Sequence, residues 1–171
     1  LDANDTWGLE EFIFPISFAR EIDYQGTEDA LFPTGWGDTT STNFFTYAFG
    51  WEIEVTKALS IVDFETNLQY YFDGLLGLTS PRKDLPQATK TNALFIENKP
   101  LDGNRQYTGK IKTFETRFRN VPMTLYVQAE QHFCAEHNKS FILFKFSPQA
   151  FKTAAWHKLD EVKLHKDICE K

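Results

Sequence analysis

The clearest hydrophobic pattern in the chain is the alternation along residues 43–55, NFFTYAFGWEIEV. Its odd-numbered positions from Phe45 to Val55 are all large and apolar, whereas small or polar residues occupy most of the even-numbered ones. A period of two is typical of a β-strand with one heavily buried face. Gly50 interrupts the small-residue face and predicts either a bulge or a close approach by another stretch of backbone.

The hydrophobic period changes between residues 61 and 79. Apolar residues recur there at the third- and fourth-residue spacing of a helix: Ile61, Phe64, Leu68, Tyr71, Phe72, Leu75 and Leu76. Ser60 is suited to cap the N-terminus of this helix, and Asp63 lies in its first turn, where a negative charge is favoured. The sequence therefore predicts one long helix in the middle of the chain.

Strand-like segments lie on both sides of the predicted helix. Four of them follow it, at residues 91–98, 106–118, 121–134 and 140–146. The connection between the last two is short enough for an antiparallel hairpin. Two shorter segments, 11–17 and 29–35, precede the helix, and the proline near the end of each indicates an edge strand.

The C-terminal part of the chain is predicted to be helical again. Ser147 and Pro148 suit the start of a helix, and Trp156 begins an apolar repeat of three-residue spacing. We therefore expect an α+β fold, in which a twisted, mainly antiparallel sheet has one long central helix and a C-terminal helix packed against it. The polar stretches 34–42 and 80–90 are too short to separate domains, so residues 1–171 are predicted to form a single domain.

Composition and charge argue against several classes of protein. Aromatic residues make up 16% of the chain, which favours a sheet with a bulky core. The net charge is −6, whereas a nucleic-acid-binding protein usually carries a basic face. The local basic run from Lys110 to Arg119 is interpreted as the solvated face of a strand. No run of about 18 apolar residues, the length needed to cross a membrane, is present.

The segment QHFCAEH, residues 131–137, holds the densest group of residues able to carry chemistry. On a strand, His132 and Cys134 share a face, and His137 falls in the following turn. Four interpretations are open: a metal site, a reactive thiol with a histidine base, a disulfide between Cys134 and Cys169, and two free cysteines without a special role. The disulfide is favoured, because neither a second Cys/His pair at matching spacing nor a nucleophile motif is present. No cofactor is predicted.

A second candidate site is the loop FPTGWGDTTSTNFF, residues 32–45. Trp36 lies between two glycines, and hydroxyl-bearing residues follow it. An exposed indole beside Asp38 and Thr39 could stack on a sugar or an apolar ligand, so these three residues are predicted to bind ligand. The alternative is that Trp36 folds back onto the core as a lid.

The resemblance of the chain to known proteins rests on four stretches that occur in this order: FPISFAREIDYQGTEDALFPTGW, FFTYAFGWEIE, LQYYFDGLLG and FKFSPQAFKTAAWHKL. Together they resemble a group of secreted bacterial proteins to which no activity is assigned. The resemblance implies a secreted or periplasmic location, with the signal peptide already removed from this chain. It implies no catalytic residue, because the group has no established site.

The leading hypothesis is an exported, non-enzymatic domain that binds a small apolar or carbohydrate ligand or a protein partner. It rests on the aromatic-rich sheet, on the Trp36 loop and on the lack of a catalytic motif. The alternative is a metal- or thiol-dependent hydrolase centred on His132, Cys134 and His137. A third hypothesis is that this protein is a structural or assembly factor, which uses a bare strand edge to pair with another chain.

Overall fold

The computed structural model describes residues 1–4, 6–79, 90–165 and 168–170. Their main feature is a seven-stranded antiparallel sheet with the strand order β1-β2-β3-β7-β6-β5-β4. The strands are β1 (Gly8–Ile13), β2 (Gly26–Phe32), β3 (Tyr47–Glu54), β4 (Asn92–Glu97), β5 (Arg105–Glu115), β6 (Val121–Cys134) and β7 (Lys139–Ser147). The helices are α1 (Ile61–Thr79) and α2 (Ala154–Leu159), and short 3₁₀ turns lie at Ala135–His137 and Ile168–Glu170.

The sheet confirms the predicted α+β class and its antiparallel character. Strands β6 and β7 form the expected hairpin, and β1 is an edge strand. The prediction of an edge position for the second N-terminal segment is wrong, because β2 pairs with both β1 and β3. Pro33 does not prevent this pairing, since the strand ends at Phe32, before the proline. Of the predicted loop at 80–90, residues 80–89 lie outside the described residues.

Helix α1 begins at the predicted cap. The backbone N–H of Ser60 donates to Oδ2 of Asp63 at 2.7 Å, and the backbone N–H of Asp63 donates to the Ser60 hydroxyl at 3.3 Å, which is a reciprocal capping pair. The helix lies nearest to β4 and β5 at one side of the sheet, and its aromatic side chains reach the middle strands. The C-terminal helix α2 is short, with six residues, and packs against β7 on the other face.

Aromatic rings fill the layer between the sheet and α1, which we call the α1 face. Phe49 of β3 is fully buried there, and its ring lies 4.9 Å from that of Tyr71 on the helix. It also contacts Phe144 and Phe146 of β7, at 5.1 and 4.8 Å between ring centroids. The odd-numbered residues of β3 thus form the heavily buried face that their alternation predicts.

The opposite side of the sheet, the outer face, is covered by both ends of the chain. Trp7, Trp156, Leu159 and Val162 form a second buried cluster there with residues of β2, β3 and β7. A close approach does occur at Gly50, but by a side chain and not by the predicted backbone: a Cβ at this position would lie 2.8 Å from the Leu1 side chain. The pairing of β3 continues through Gly50 without a bulge.

Candidate ligand-binding site

A small residue in a row of large ones opens a cavity on the α1 face. The residues of β2 that face α1 are Glu28, Ala30 and Phe32, and Ala30 pairs with Glu10 of β1 and Phe49 of β3. Because alanine ends at Cβ, the rings around it do not meet above the sheet. A space is left between the sheet, the last turns of α1 and the loop after β2.

The helix side of this cavity depends on a close approach at Gly74. A Cβ on Gly74 would lie 2.0 Å from the backbone oxygen of Phe18, so only glycine lets the helix touch this segment. The contact places the Phe18 ring 5.1 Å from Tyr71 and 6.1 Å from Phe12, in edge-to-face geometry with both. Phe18 therefore forms a wall between the helix and the edge strand.

The resulting aromatic pocket has a volume of about 190 Å³. Eight of its lining residues are aromatic: Phe12, Phe18, Phe32, Trp36, Phe45, Tyr47, Tyr71 and Phe72. The remaining lining residues are Ala30, Leu75 and Leu76, with Glu10, Glu115, Thr116 and Arg117 as the polar members. Several of the rings are only half-buried, so the pocket presents aromatic surface to solvent.

Trp36 lies at the rim of the aromatic pocket. Its backbone is fixed by two hydrogen bonds, from its own N–H to the Pro33 carbonyl at 3.1 Å and from the Phe45 N–H to its carbonyl at 2.7 Å. The indole packs 4.7 Å from the Phe32 ring and 5.6 Å from the Phe118 ring. The residue is only partly buried. Trp36 is thus partly packed on the core, as the lid interpretation expects, and still presents one side to the cavity.

Asp38 and Thr39 do not line the aromatic pocket. The Asp38 carboxylate accepts hydrogen bonds from the backbone N–H and the hydroxyl of Thr40, both at 2.8 Å, and these bonds lower its pKa. The carbonyl of Thr39 accepts a hydrogen bond from the Arg119 guanidinium. The structure therefore uses both residues to hold the loop and does not bring them together with the Trp36 ring.

A buried carboxylate lies beneath the pocket. Glu28 is 0% exposed; its two oxygens accept hydrogen bonds from Trp51 Nε1–H at 2.6 Å and from the Tyr71 hydroxyl at 2.7 Å. Burial raises its pKa to about 7, against the lowering effect of these two hydrogen bonds. Burial, and then the charge of Glu28, also raise the pKa of Tyr47 and Tyr71 well above that of an exposed tyrosine. Both tyrosines consequently remain protonated hydrogen-bond donors.

The segment 131–137 lies at the end of the β6–β7 hairpin. Cys134 and Cys169 are joined in a disulfide, so the favoured interpretation of the cysteines is confirmed. His132 lies beside it: one of its ring nitrogens and the two sulfur atoms are all within 4.8 Å of one another. The other interaction of this ring is a hydrogen bond between Nδ1 and the Asn104 side chain. His137 is exposed in the 3₁₀ turn and does not belong to this cluster.

Sequence reasoning identified one pocket residue, Trp36, and missed its surroundings. Arg117 was grouped with the solvated basic run, and Glu28 was not noticed because it lies among apolar and acidic residues of an ordinary strand pattern. A hint was available in the Phe118 ring next to Arg117, since an aromatic residue in a basic turn is unusual for a fully solvated segment. The pairing that brings these residues together spans the sheet and is not visible in any local pattern.

Comparison of the chain with protein-family models, with curated proteins and with solved structures finds no match. No helix in the described part of the chain is both long and apolar enough to cross a membrane. The function is therefore inferred from the geometry of the molecule itself.

Proposed function

We propose that this protein binds a small aromatic or apolar compound in the aromatic pocket. The observation that carries the proposal is the lining: eight aromatic side chains surround one cavity, and five of them are only half-buried. Ligand-binding cavities are typically lined by hydrophobic and aromatic side chains with a few polar groups that fix the orientation of the ligand. The four polar lining residues of this pocket match that composition.

The volume of the pocket limits the size of the ligand. Cavities for drug-sized molecules are roughly 300–1,000 Å³, whereas an apolar cavity of about 150 Å³ accepts benzene. With about 190 Å³, the aromatic pocket is suited to a compound of one or two rings. Ring edges and ring faces both line it, so an aromatic guest would find the edge-to-face and offset-stacked contacts that such rings prefer.

An apolar ligand is favoured over a carbohydrate. A sugar needs several hydrogen-bonding partners around the stacking ring, and Asp38 and Thr39 are the residues that the sequence suggested for this role. The Asp38 carboxylate is bonded to Thr40 in its own loop, the Thr39 carbonyl is bonded to Arg119, and both residues lie outside the pocket lining. The tyrosine hydroxyls and Arg117 leave room for one polar group on the ligand but not for a ring of hydroxyls.

The buried carboxyl of Glu28 supports binding better than catalysis. A carboxyl with a pKa near 7 is a candidate general acid or base, but such a group must reach the reacting atoms. Both oxygens of Glu28 are occupied by Trp51 and Tyr71, and the residue does not line the pocket. We infer that Glu28 fixes the orientation of Tyr71 in the wall of the pocket.

Isothermal titration with 2-naphthamide, a neutral two-ring compound, tests the proposal. We expect saturable 1:1 binding to the native protein. Ala30→Leu should abolish binding, because the added side chain occupies the space above Ala30, and Trp36→Ala should weaken it roughly tenfold by removing one wall. Tyr70→Ala is the matched control, since Tyr70 is a 41% exposed aromatic residue of α1 that does not line the pocket.

The two outcomes of this titration are distinct. Binding that is lost in Ala30→Leu and retained in Tyr70→Ala assigns the ligand to the pocket. Absence of binding to the native protein, or equal loss in both variants while the protein stays folded, would contradict the proposal.

We also propose that the protein is exported. The disulfide between Cys134 and Cys169 supports this location, because disulfides persist in oxidising compartments and are rare in the cytosol. The test is mass spectrometry of the protein isolated from its own cells without reduction. We expect the denatured protein to be lighter than its reduced form by the mass of two hydrogen atoms. Free thiols in that sample would contradict export.

We propose as a second candidate function a metal- or thiol-dependent hydrolase, which would use His132 and the two sulfur atoms that lie close to it. The disulfide leaves neither sulfur able to act as a thiolate, so this function requires the reduced protein. Native mass spectrometry after reduction in the presence of Zn²⁺ tests it. Stoichiometric metal that is lost in His132→Ala would support it, and unchanged metal-free protein would reject it.

A further inference from the structure

A cationic side chain lies at the mouth of the aromatic pocket. Arg117 is exposed and lines the pocket, and among the described residues its guanidinium forms no ion pair with a carboxylate. The guanidinium carbon lies 5.3 Å from the centre of the Trp36 ring and 5.5 Å from that of Phe118. These cation–π contacts hold the charge over the aromatic rim and leave its N–H donors available.

The turn that carries Arg117 is fixed from below by a buried carboxylate. Glu115, the last residue of β5, is 2% exposed and accepts hydrogen bonds from the backbone N–H groups of three following residues. Those of Phe118 and Arg119 are both 2.7 Å long, and the third comes from Arg117 itself. Because its oxygens serve these donors, Glu115 orders the turn and does not form an ion pair with the guanidinium of Arg117.

Two other charged side chains must be considered at this end of the pocket. Arg119 is turned away, with its guanidinium 4.2 Å from the Phe44 ring and bonded to the Thr39 carbonyl. Glu10 of β1 is exposed and lines the pocket near Tyr71, whose pKa its charge helps to raise. Arg117 is therefore the group that attracts an anion at the mouth, and Glu10 is the group that repels one.

We propose that the ligand is an aromatic acid of one or two rings, whose ring enters the pocket and whose carboxylate pairs with Arg117. The proposal rests on the function proposed above and specifies the chemical class of its ligand. A guanidinium presents its N–H groups in a planar fork that matches a carboxylate. Arg117 is pre-ordered by its stacking on Trp36, so little side-chain freedom is lost when the pair forms.

Titration with three compounds of one ring system tests the proposal. The compounds are 2-naphthoate, 2-naphthamide and 2-naphthylmethylamine, which are anionic, neutral and cationic at pH 8. We expect the native protein to bind the acid roughly tenfold more tightly than the amide, the size of a charge-assisted hydrogen bond at a partly exposed site. The amine should bind more weakly than the amide.

Substitutions at Arg117 and at Glu10, with opposite expected effects, separate charge recognition from folding. In Arg117→Gln the preference should disappear, so that the acid and the amide bind with about equal affinity. Arg117→Lys should keep part of the preference. In Glu10→Gln the preference should rise a few-fold, because a repulsive charge is removed. Thermal unfolding of each variant, expected close to the native protein, checks that these are effects on recognition.

Each outcome has a defined meaning. If the native protein binds the acid no more tightly than the amide, or if Arg117→Gln weakens both compounds by the same factor, Arg117 does not select an anion and this inference fails. If Glu10→Gln lowers the preference for the acid, the ligand is instead a zwitterion, and this inference fails as well. If none of the three compounds binds, the function proposed for the pocket fails as well.

Discussion

Each face of the sheet has a tryptophan, but the two tryptophans have different surroundings. On the outer face, Trp156 is 3% exposed, and its indole N–H donates to the Gln149 carbonyl at 2.9 Å. On the α1 face, Trp36 packs by one side of its indole and leaves the other at the mouth of a cavity. Trp156 is part of a buried cluster, whereas Trp36 is part of the wall of an open cavity.

The difference lies in what covers each face. The outer face is closed by the two chain termini, which pair with each other through the backbone of Asp2 and Lys163. The disulfide between Cys134 and Cys169 fastens the C-terminal tail to the sheet. On the α1 face, the helix lies nearest to β4 and β5, and in the part of the chain that the structure describes the aromatic pocket opens over β1 and β2. In the function that we propose, the incomplete cover of the α1 face, and not its aromatic richness alone, makes the site.

Removing each tryptophan gives the strongest contrast between the faces. Trp156→Ala should lower the free energy of unfolding by about 3–5 kcal/mol, because a fully buried indole leaves a large cavity. Trp36→Ala should lower it by only about 1 kcal/mol, since that ring is already partly in water, but should weaken binding of 2-naphthamide roughly tenfold. Chemical denaturation and calorimetric titration of both variants check this. Equal stability losses would mean that Trp36 is an ordinary core residue.

Removing the disulfide tests whether the stability that the outer face contributes is independent of ligand binding in the aromatic pocket. The combined change of Cys134→Ser and Cys169→Ser should lower the free energy of unfolding by about 3–4 kcal/mol, the chain-entropy value for a closed loop of this length. Affinity for 2-naphthamide in the folded variant should stay the same, because neither cysteine lines the pocket. Urea unfolding followed by titration gives both quantities. A changed affinity would show that the two faces are coupled.

The pH dependence of stability tests the raised pKa of Glu28 on the α1 face. The pKa of Glu28 is about 7 in the folded protein, raised by burial from 4.5. A raised pKa means that the folded state binds the proton more tightly, so this contribution to stability is fully present below pH 4.5 and is lost as the pH rises through 7. Between pH 5 and 8 the loss should be about 2–3 kcal/mol.

The control for this prediction is Glu28→Gln, which keeps an acceptor for Trp51 but does not titrate. Subtracting its pH profile from that of the native protein removes the contributions of other groups, such as the carboxylates of Glu97 and Glu161, whose hydrogen bonds to Arg105 and Lys158 lower their pKa values. A difference profile that is flat between pH 5 and 8 would mean that Glu28 is charged in the folded protein throughout this range.

Much of the fold follows from local patterns. The alternation along β3, the helical spacing of α1 and its Ser60 cap each correspond to an element of the structure. These features depend on neighbouring residues, whose preferences can be read along the chain. The position of β2 inside the sheet was predicted wrongly, because a proline was taken to mark an edge although the strand ends before it.

The pocket could be predicted only in part, for a different physical reason. Trp36 is conspicuous between its glycines, but the cavity beside it exists because Ala30 faces Glu10 and Phe49 across two strand pairings. Arg117 reaches the same place from β5, on the opposite half of the sheet. Such a site is defined by strand order and register, and strand order was not determined by the sequence pattern.

The most direct test of the central claim is to map the binding of 2-naphthamide by NMR on the uniformly ¹⁵N-labelled native protein. We predict that the largest shift changes occur at Ala30, Phe32, Leu75 and Arg117 and at the indole N–H of Trp36, with residues 131–137 unaffected. Changes centred on the hairpin end around His132, or the absence of any localised change at saturating compound, would contradict the assignment of the aromatic pocket as the binding site.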